Sequence, residues 1–214
     1  MRTTYRNGWF EKAALAYHET APTGHAGKGM DEMVRRLTTK ELIGASFHEL
    51  AAAKPIDKIT VKEIADNCGV STTTFYNHFQ DKYELVGWMY DHLADLVFTD
   101  FLNNRKGWKD VLHDFIAILN DDRGFYANAH RHTNGASSPF SPAHLHSVEL
   151  LQETIRKMDP DVEPETLFDA ELYLQGVSCA ITRWFDYGQP ADRNQFVDWM
   201  YNAVPDRLKE FLWV

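Results

Sequence analysis
The chain has 214 residues, with 44% hydrophobic and 25% charged side chains and a formal charge of -9, a balance that suits a soluble globular protein of one large domain or two smaller ones. An acidic total excludes indiscriminate attraction to nucleic acid, although it says little about a local face. No run approaches the ~20 apolar residues of a membrane span, no apolar signal core opens the chain, and Cys68 and Cys179 lie far apart in apolar company, so a membrane protein and a disulfide scaffold are excluded and a cytoplasmic location is expected.

The charge is unevenly distributed. Residues 1–37 hold six Lys/Arg against four acids, residues 38–90 five against seven, and residues 91–214 eleven against twenty. The acidity therefore belongs mainly to the C-terminal part, and two domains are the preferred division.

Residues 1–30 mix Gly, Thr, His and Pro with isolated aromatics (Tyr5, Trp9, Phe10, Tyr17) and carry no sustained period, which predicts a mobile N-terminal arm. The texture changes at Thr38. Thr38 or Thr39 caps a helix in which Ile43, Phe47 and Leu50 recur at i, i+4, i+7, ending before Pro55. Thr60, followed three residues later by Glu63, has capping-box spacing and opens a short helix that Gly69 stops. Ser71 caps a third short helix to about Asn77, with Phe75 and Phe79 as its anchors. Helix, short helix, Gly turn and short helix in under fifty residues are the proportions of a helix-turn-helix.

A long helix is expected from about 81 to 103, with Val86, Tyr90, Leu93, Val97 and Phe101 along one buried stripe. Further helices are expected at 108–120, 122–131, 142–158, 165–188 and 192–213, the last kinked or split by Pro205. No segment reads as a strand. The fold class is all-α, with a mobile arm at 1–30, a three-helix unit at 31–83 and a helical domain at 84–214.

Thr72, Thr73, Tyr76 and Asn77 can point outward from the third helix while its two Phe side chains hold it down. Hydroxyls, an amide and a phenol bond phosphate oxygens and base edges without requiring a basic protein. Lys82 and the amides opening the long helix would add a second phosphate site. The run TVKEIADNCGVSTTTFYNHFQDKYEL, residues 60–85, resembles the DNA-binding signature of TetR/AcrR-type transcriptional regulators: a helix-turn-helix, then Phe-Tyr-x-His-Phe and a Lys.

The resemblance implies a homodimer on a palindromic double-stranded DNA operator, most simply a repressor, with a small-molecule effector held in the C-terminal domain. In an effector mechanism of this kind, tilting of the long helix would change the spacing of the two reading heads. Position by position, the resemblance implies phosphate contacts at Thr60, His78 and Lys82, a phosphate or base contact at Tyr76, and groove residues at Ser71, Thr72, Thr73 and Thr74. Thr73 is the expected base-edge contact. Cys68 reads as a small buried residue. More weakly, LYLQGVSCAITRWFDYGQP, residues 172–190, resembles the penultimate helix of one branch of these regulators, which implies a dimer interface at Tyr173, Val177, Ile181, Trp184, Phe196, Trp199 and Met200. Gly176, in mid-helix, would admit a close backbone.

Aromatics of the C-terminal domain either fill a core or line a pocket for an apolar effector. Those expected around a pocket are Trp88, Phe98, Phe101, Trp108, Phe115, Phe125, Tyr126 and Tyr173. Two His-x-His pairs, His130 with His132 and His144 with His146, flank a Ser/Pro/Gly loop. They are weak candidates for a metal, since no Cys or close carboxylate joins them, and no metal or cofactor is expected. No phosphate-binding glycine loop, nucleophile elbow or zinc-protease motif is present, so an enzyme is not expected. The alternatives to a regulator are a dimeric adaptor that does not bind DNA and a metal-responsive protein using residues 130–146.

Overall fold
The computed structural model describes residues 37–103, 106–132, 140–186 and 192–213. The expected arm at 1–30, the loop at 133–139 and the side chain of His144 lie outside the described residues. Every described element is helical, and no strand occurs among the described residues. The chain divides into two compact units between Leu85 and Val86.

In the first unit, α1 spans Thr39–Ala53, α2 Val61–Cys68 and α3 Thr72–Tyr76, with a 3-10 turn at Ile56–Lys58. Their ends follow from local chemistry. Thr38 and Glu41 cap α1 reciprocally, and Thr60 and Glu63 do the same for α2. Gly69 closes α2 at φ 71°, a left-handed conformation that costs a residue with a Cβ roughly 1–2 kcal/mol. The amphipathic faces then meet: Ile43, Phe47, Ile56, Ile59, Ile64, Phe75 and Phe79 are all buried. Ser46, itself buried, donates to the Ile64 carbonyl at 2.7 Å and so fixes α1 against α2.

Helix α4, Lys82–Leu102, begins in the first unit and ends in the second. The second unit continues with α5 (Trp108–Asp121), α6 (Arg123–His132), α7 (Phe140–Met158), α8 (Pro164–Asp186) and α9 (Arg193–Asn202). Pro205 splits the expected last helix: α9 is followed by a 3-10 turn at Asp206–Leu208 and a short α10 at Lys209–Leu212, because Pro cannot supply the amide a continuous helix needs. Helix α8 packs on α7 and α6, and α5 packs on α9. The Lys109–Asp198 ion pair at 2.6 Å adds a surface tie between α5 and α9. No helix among the described residues is long and apolar enough to cross a membrane.

Candidate nucleic-acid interface and interior cavity
A five-residue helix is too short to persist by itself in water. Two features hold α3 in place. The Ser71 hydroxyl accepts the Thr74 amide at 2.9 Å, and Phe75 and Phe79 are buried, each worth roughly 1.5–3 kcal/mol of apolar transfer. With Phe75 turned inward, Thr72, Thr73, Tyr76 and Asn77 are left exposed. Tyr76 is 58% exposed, an unusual position for a large ring. Ser71 is exposed as well, but its hydroxyl lies 2.8 Å from that of Thr74, so this pair completes the cap as it flanks the outward face. His78 is half-buried with its ring beside Phe79.

Two of the expected phosphate ligands, Thr60 and Lys82, are engaged within the chain. The Thr60 hydroxyl donates to Glu63 at 2.8 Å and accepts the Glu63 amide at 3.2 Å. Lys82 was expected to reach a phosphate, yet its ammonium donates to the carbonyls of Ile56, Asp57 and Ile59 at 2.9, 2.8 and 2.8 Å. An ammonium has three donors, and all three are taken. Burial lowers the Lys82 pKa from its ordinary value, against the opposing pull of Asp57 and Asp81. The amides opening α4, expected to form part of the same phosphate site, are also occupied. Asp81 accepts the Tyr83 and Glu84 amides at 2.7 and 2.9 Å, and Glu84 accepts that of Gln80. A residue placed by sequence order at a helix start can face either solvent or its own preceding loop, and here the loop claims it. Cys68, half-buried, donates its thiol toward the Ile64 carbonyl, and burial raises its pKa.

The second unit holds a partly open cavity of about 110 Å³. Helix α4 contributes Tyr90, Ala94, Val97 and Phe98, and α5 contributes Trp108, Val111, Leu112, Phe115 and Leu119. Tyr126 and His130 come from α6, Ser147 from α7, and Leu174, Val177, Ser178, Ile181 and Thr182 from α8. Four of the eight aromatics expected around a pocket, Phe98, Trp108, Phe115 and Tyr126, are therefore in its wall. The other four stand behind it or away from it. Phe101 packs edge-on to Trp108, Phe125 edge-on to Tyr126, and Tyr173 bonds the Trp108 indole. Trp88 stacks on His92 of its own helix. Their size and apolarity made them candidates; the rotation of each helix, set by its packing, decides which side they take. The small polar residues Ser147, Ser178 and Thr182 were not anticipated, although Ser178 and Thr182 at i, i+4 do share a helix face.

The residues expected at a dimer interface are divided in the same way. Trp184 stacks on Phe196 with ring centroids 5.3 Å apart, and both are buried with Met200 inside the unit. Tyr173 is also interior, while Val177 and Ile181 line the cavity. Trp199 is exposed. The outer face of α8 instead carries Phe168 and Leu172, 58% and 52% exposed, followed by exposed Gly176 and Cys179. The i, i+4, i+8, i+11 spacing of these four is the signal by which this second stripe could have been found.

The histidines are dispersed. His130 is buried in the cavity wall, His132 ends α6, and His146 pairs with Asp95 at 2.7 Å. No group of three or more His, Cys, Asp and Glu suited to a metal occurs among the described residues.

A family model described as bacterial regulatory proteins, tetR family, matches residues 47–87. The dhaKLM operon transcriptional activator DhaS of Lactococcus lactis is 26% identical over 97 residues, covering 44% of this chain and 50% of that protein. The matched segment thus spans half the length of this curated relative. A helix-turn-helix transcriptional regulator of Haemophilus influenzae is 25% identical over 139 residues, 59% of this chain and 67% of the relative. Among solved structures, the dihydroxyacetone kinase operon activator DhaS superposes with a TM-score of 0.58 at 17% identity, covering 83% of this chain and 99% of that one. The fatty acid degradation regulator FadR of Bacillus halodurans gives 0.53 at 13% identity, over 76% and 96% of the two chains. A tetR-family regulator of Streptomyces coelicolor gives 0.54 at 13%, over 80% and 81%. Structural likeness at such identities establishes a shared fold.

Proposed function
We propose that this chain, which belongs to the tetR family of bacterial regulatory proteins, regulates transcription as a homodimer on a palindromic operator and answers to a small effector held in its second unit. The observation that carries the reading is the outward face of α3. Thr72, Thr73, Tyr76 and Asn77 stand exposed on a helix pinned from beneath by Phe75 and Phe79. Thr73 and Tyr76 read the major groove, Asn77 adds an amide to the same face, and His78 sits at a phosphate flanking it.

Association through α8 is supported by the exposed side chains of Phe168 and Leu172, which stand one turn apart on its outer face. Effector control requires a ligand that binds one arrangement of the dimer better than the other. Helix α4 is the continuous element that runs from the first unit into the second. Repression is the expected sign, and a promoter-reporter assay distinguishes it from the activation recorded in the name of the Lactococcus relative.

The test is fluorescence anisotropy against DNA flanking the chain's own gene, across a salt series, beside a scrambled duplex. Tight, salt-sensitive binding that prefers the native sequence is the expected result. Equal binding to native and scrambled DNA, repeated over duplexes selected from a random pool, would remove the reading.

A further inference from the structure
We infer that the cavity of the second unit takes an uncharged, mostly hydrocarbon molecule of about single-ring size. This assignment rests on reading that unit as the effector domain, and it names the class of effector. Charge is the first argument. No Lys, Arg, Asp or Glu lines the cavity among the described residues. An ion entering such a wall would give up its hydration and find the imidazole of His130 but no Lys, Arg, Asp or Glu to meet it, a costly desolvation.

The wall also has sides. Helix α5 contributes hydrocarbon and rings alone, because the one polar atom it brings, the indole nitrogen of Trp108, already donates to Tyr173 at 3.0 Å. The short hydroxyls of Ser147, Ser178 and Thr182 come from α7 and α8, so a single hydroxyl or carbonyl on the ligand has partners there. Burial holds the Tyr90 phenol well above its ordinary pKa, which keeps this wall residue neutral as well. Five rings, Tyr90, Phe98, Trp108, Phe115 and Tyr126, favour a flat guest that can pack edge-to-face. The volume of about 110 Å³ is of the same order as the roughly 150 Å³ of an apolar cavity that holds benzene, which suits a guest built on one ring.

Three near-isosteric probes separate charge from shape: benzyl alcohol, benzoate and benzylamine, titrated calorimetrically into the full chain at pH 7.5 without DNA. Saturable binding of benzyl alcohol, with both ions at least tenfold weaker, is expected. Val177→Phe, at a half-exposed lining position, should abolish that binding with circular dichroism unchanged; should it misfold, Ala94→Leu serves as the second filling variant. Binding of either ion as tight as the alcohol, binding of none of the three, or binding indifferent to both filling variants would overturn the assignment. Operator affinity measured with and without benzyl alcohol is read separately. Saturable binding with unchanged operator affinity would uphold the ligand class and remove the effector role.

Discussion

Trp108 and Tyr173 are joined inside the second unit by an indole-to-phenol hydrogen bond of 3.0 Å, and the same phenol donates onward to the Met200 carbonyl at 2.9 Å. One hydroxyl thus satisfies a buried donor of α5 and a backbone acceptor of α9 from its place on α8. Trp108 is 1% exposed, so water cannot replace the bond.

Tyr173→Phe keeps the ring and strands the indole N–H, and should cost about 1–3 kcal/mol in a denaturant titration. It should also change the alkaline limb. Burial pushes the Tyr173 phenol up to about 12 from an ordinary value of 10. The folded state holds this proton more tightly than the unfolded chain, so the associated stability is complete below pH 10 and is lost as pH rises from 10 through 12. The variant should show a shallower fall in Tm across that window than the parent; an equal fall would mean that Tyr173 does not set it.

Lys82 and Tyr76 are expected to separate stability from recognition. Lys82→Ala removes three charge-assisted bonds to carbonyls that are partly open to water, and should lower stability by about 1–2 kcal/mol. The salt slope of operator binding should stay unchanged, since a lost phosphate contact would reduce it by about 0.9. Tyr76→Ala should do the reverse, leaving Tm in place because the ring is exposed and weakening the operator by about 1–2 kcal/mol. A reduced slope in Lys82→Ala would return that residue to the phosphates.

The boundaries of α1, α2 and α3 were legible because each is set within four residues: Thr38 with Glu41, Thr60 with Glu63, Gly69, and Ser71 with Thr74. The outward set on α3 was legible for a related reason. Phe75 on so short a helix, with Phe79 anchored just beyond its end, leaves only one rotation. The second unit was harder to read. Helix α8 carries apolar residues on both faces, with Ala170, Leu174 and Trp184 inside and Phe168 and Leu172 outside, so composition cannot say which stripe meets a partner chain. The intrachain contacts of Lys82 were hidden for another reason, because its acceptors lie more than twenty residues earlier in the chain, beyond the reach of any local pattern.

Glu63 makes the α2 cap sensitive to acid. Its carboxylate accepts from Lys54 Nζ at 2.5 Å and from the Thr60 amide and hydroxyl at 2.9 and 2.8 Å. Lys54 first, and then these Thr60 bonds, hold its pKa down at about 2 from 4.5. A depressed carboxylate stabilises the fold fully above 4.5, and that stabilisation is lost as pH falls toward 2. Glu63→Gln should lower Tm at neutral pH and flatten its decline between pH 4.5 and 2. A decline as steep as the parent's would place the acid response on other carboxylates.

Gly176 interrupts the exposed stripe of α8, and a Cβ built on it meets nothing within 4 Å. The chain's own packing therefore gives no reason for a glycine there, and glycine in a helix interior costs about 1 kcal/mol relative to alanine. Gly176→Ala should accordingly raise the stability of the isolated protomer by about 0.5–1 kcal/mol. If α8 meets its counterpart in a second copy, the added methyl falls where two backbones approach, and a larger side chain should prevent that approach. Gly176→Leu is expected to shift the dimer to monomer in analytical ultracentrifugation, to leave the helical circular dichroism of the protomer intact, and to weaken binding to a two-half-site operator far more than to a single half-site. A Gly176→Leu protein that sediments as the parent does would place the interface on another face, with exposed Trp199 of α9 the next position to substitute.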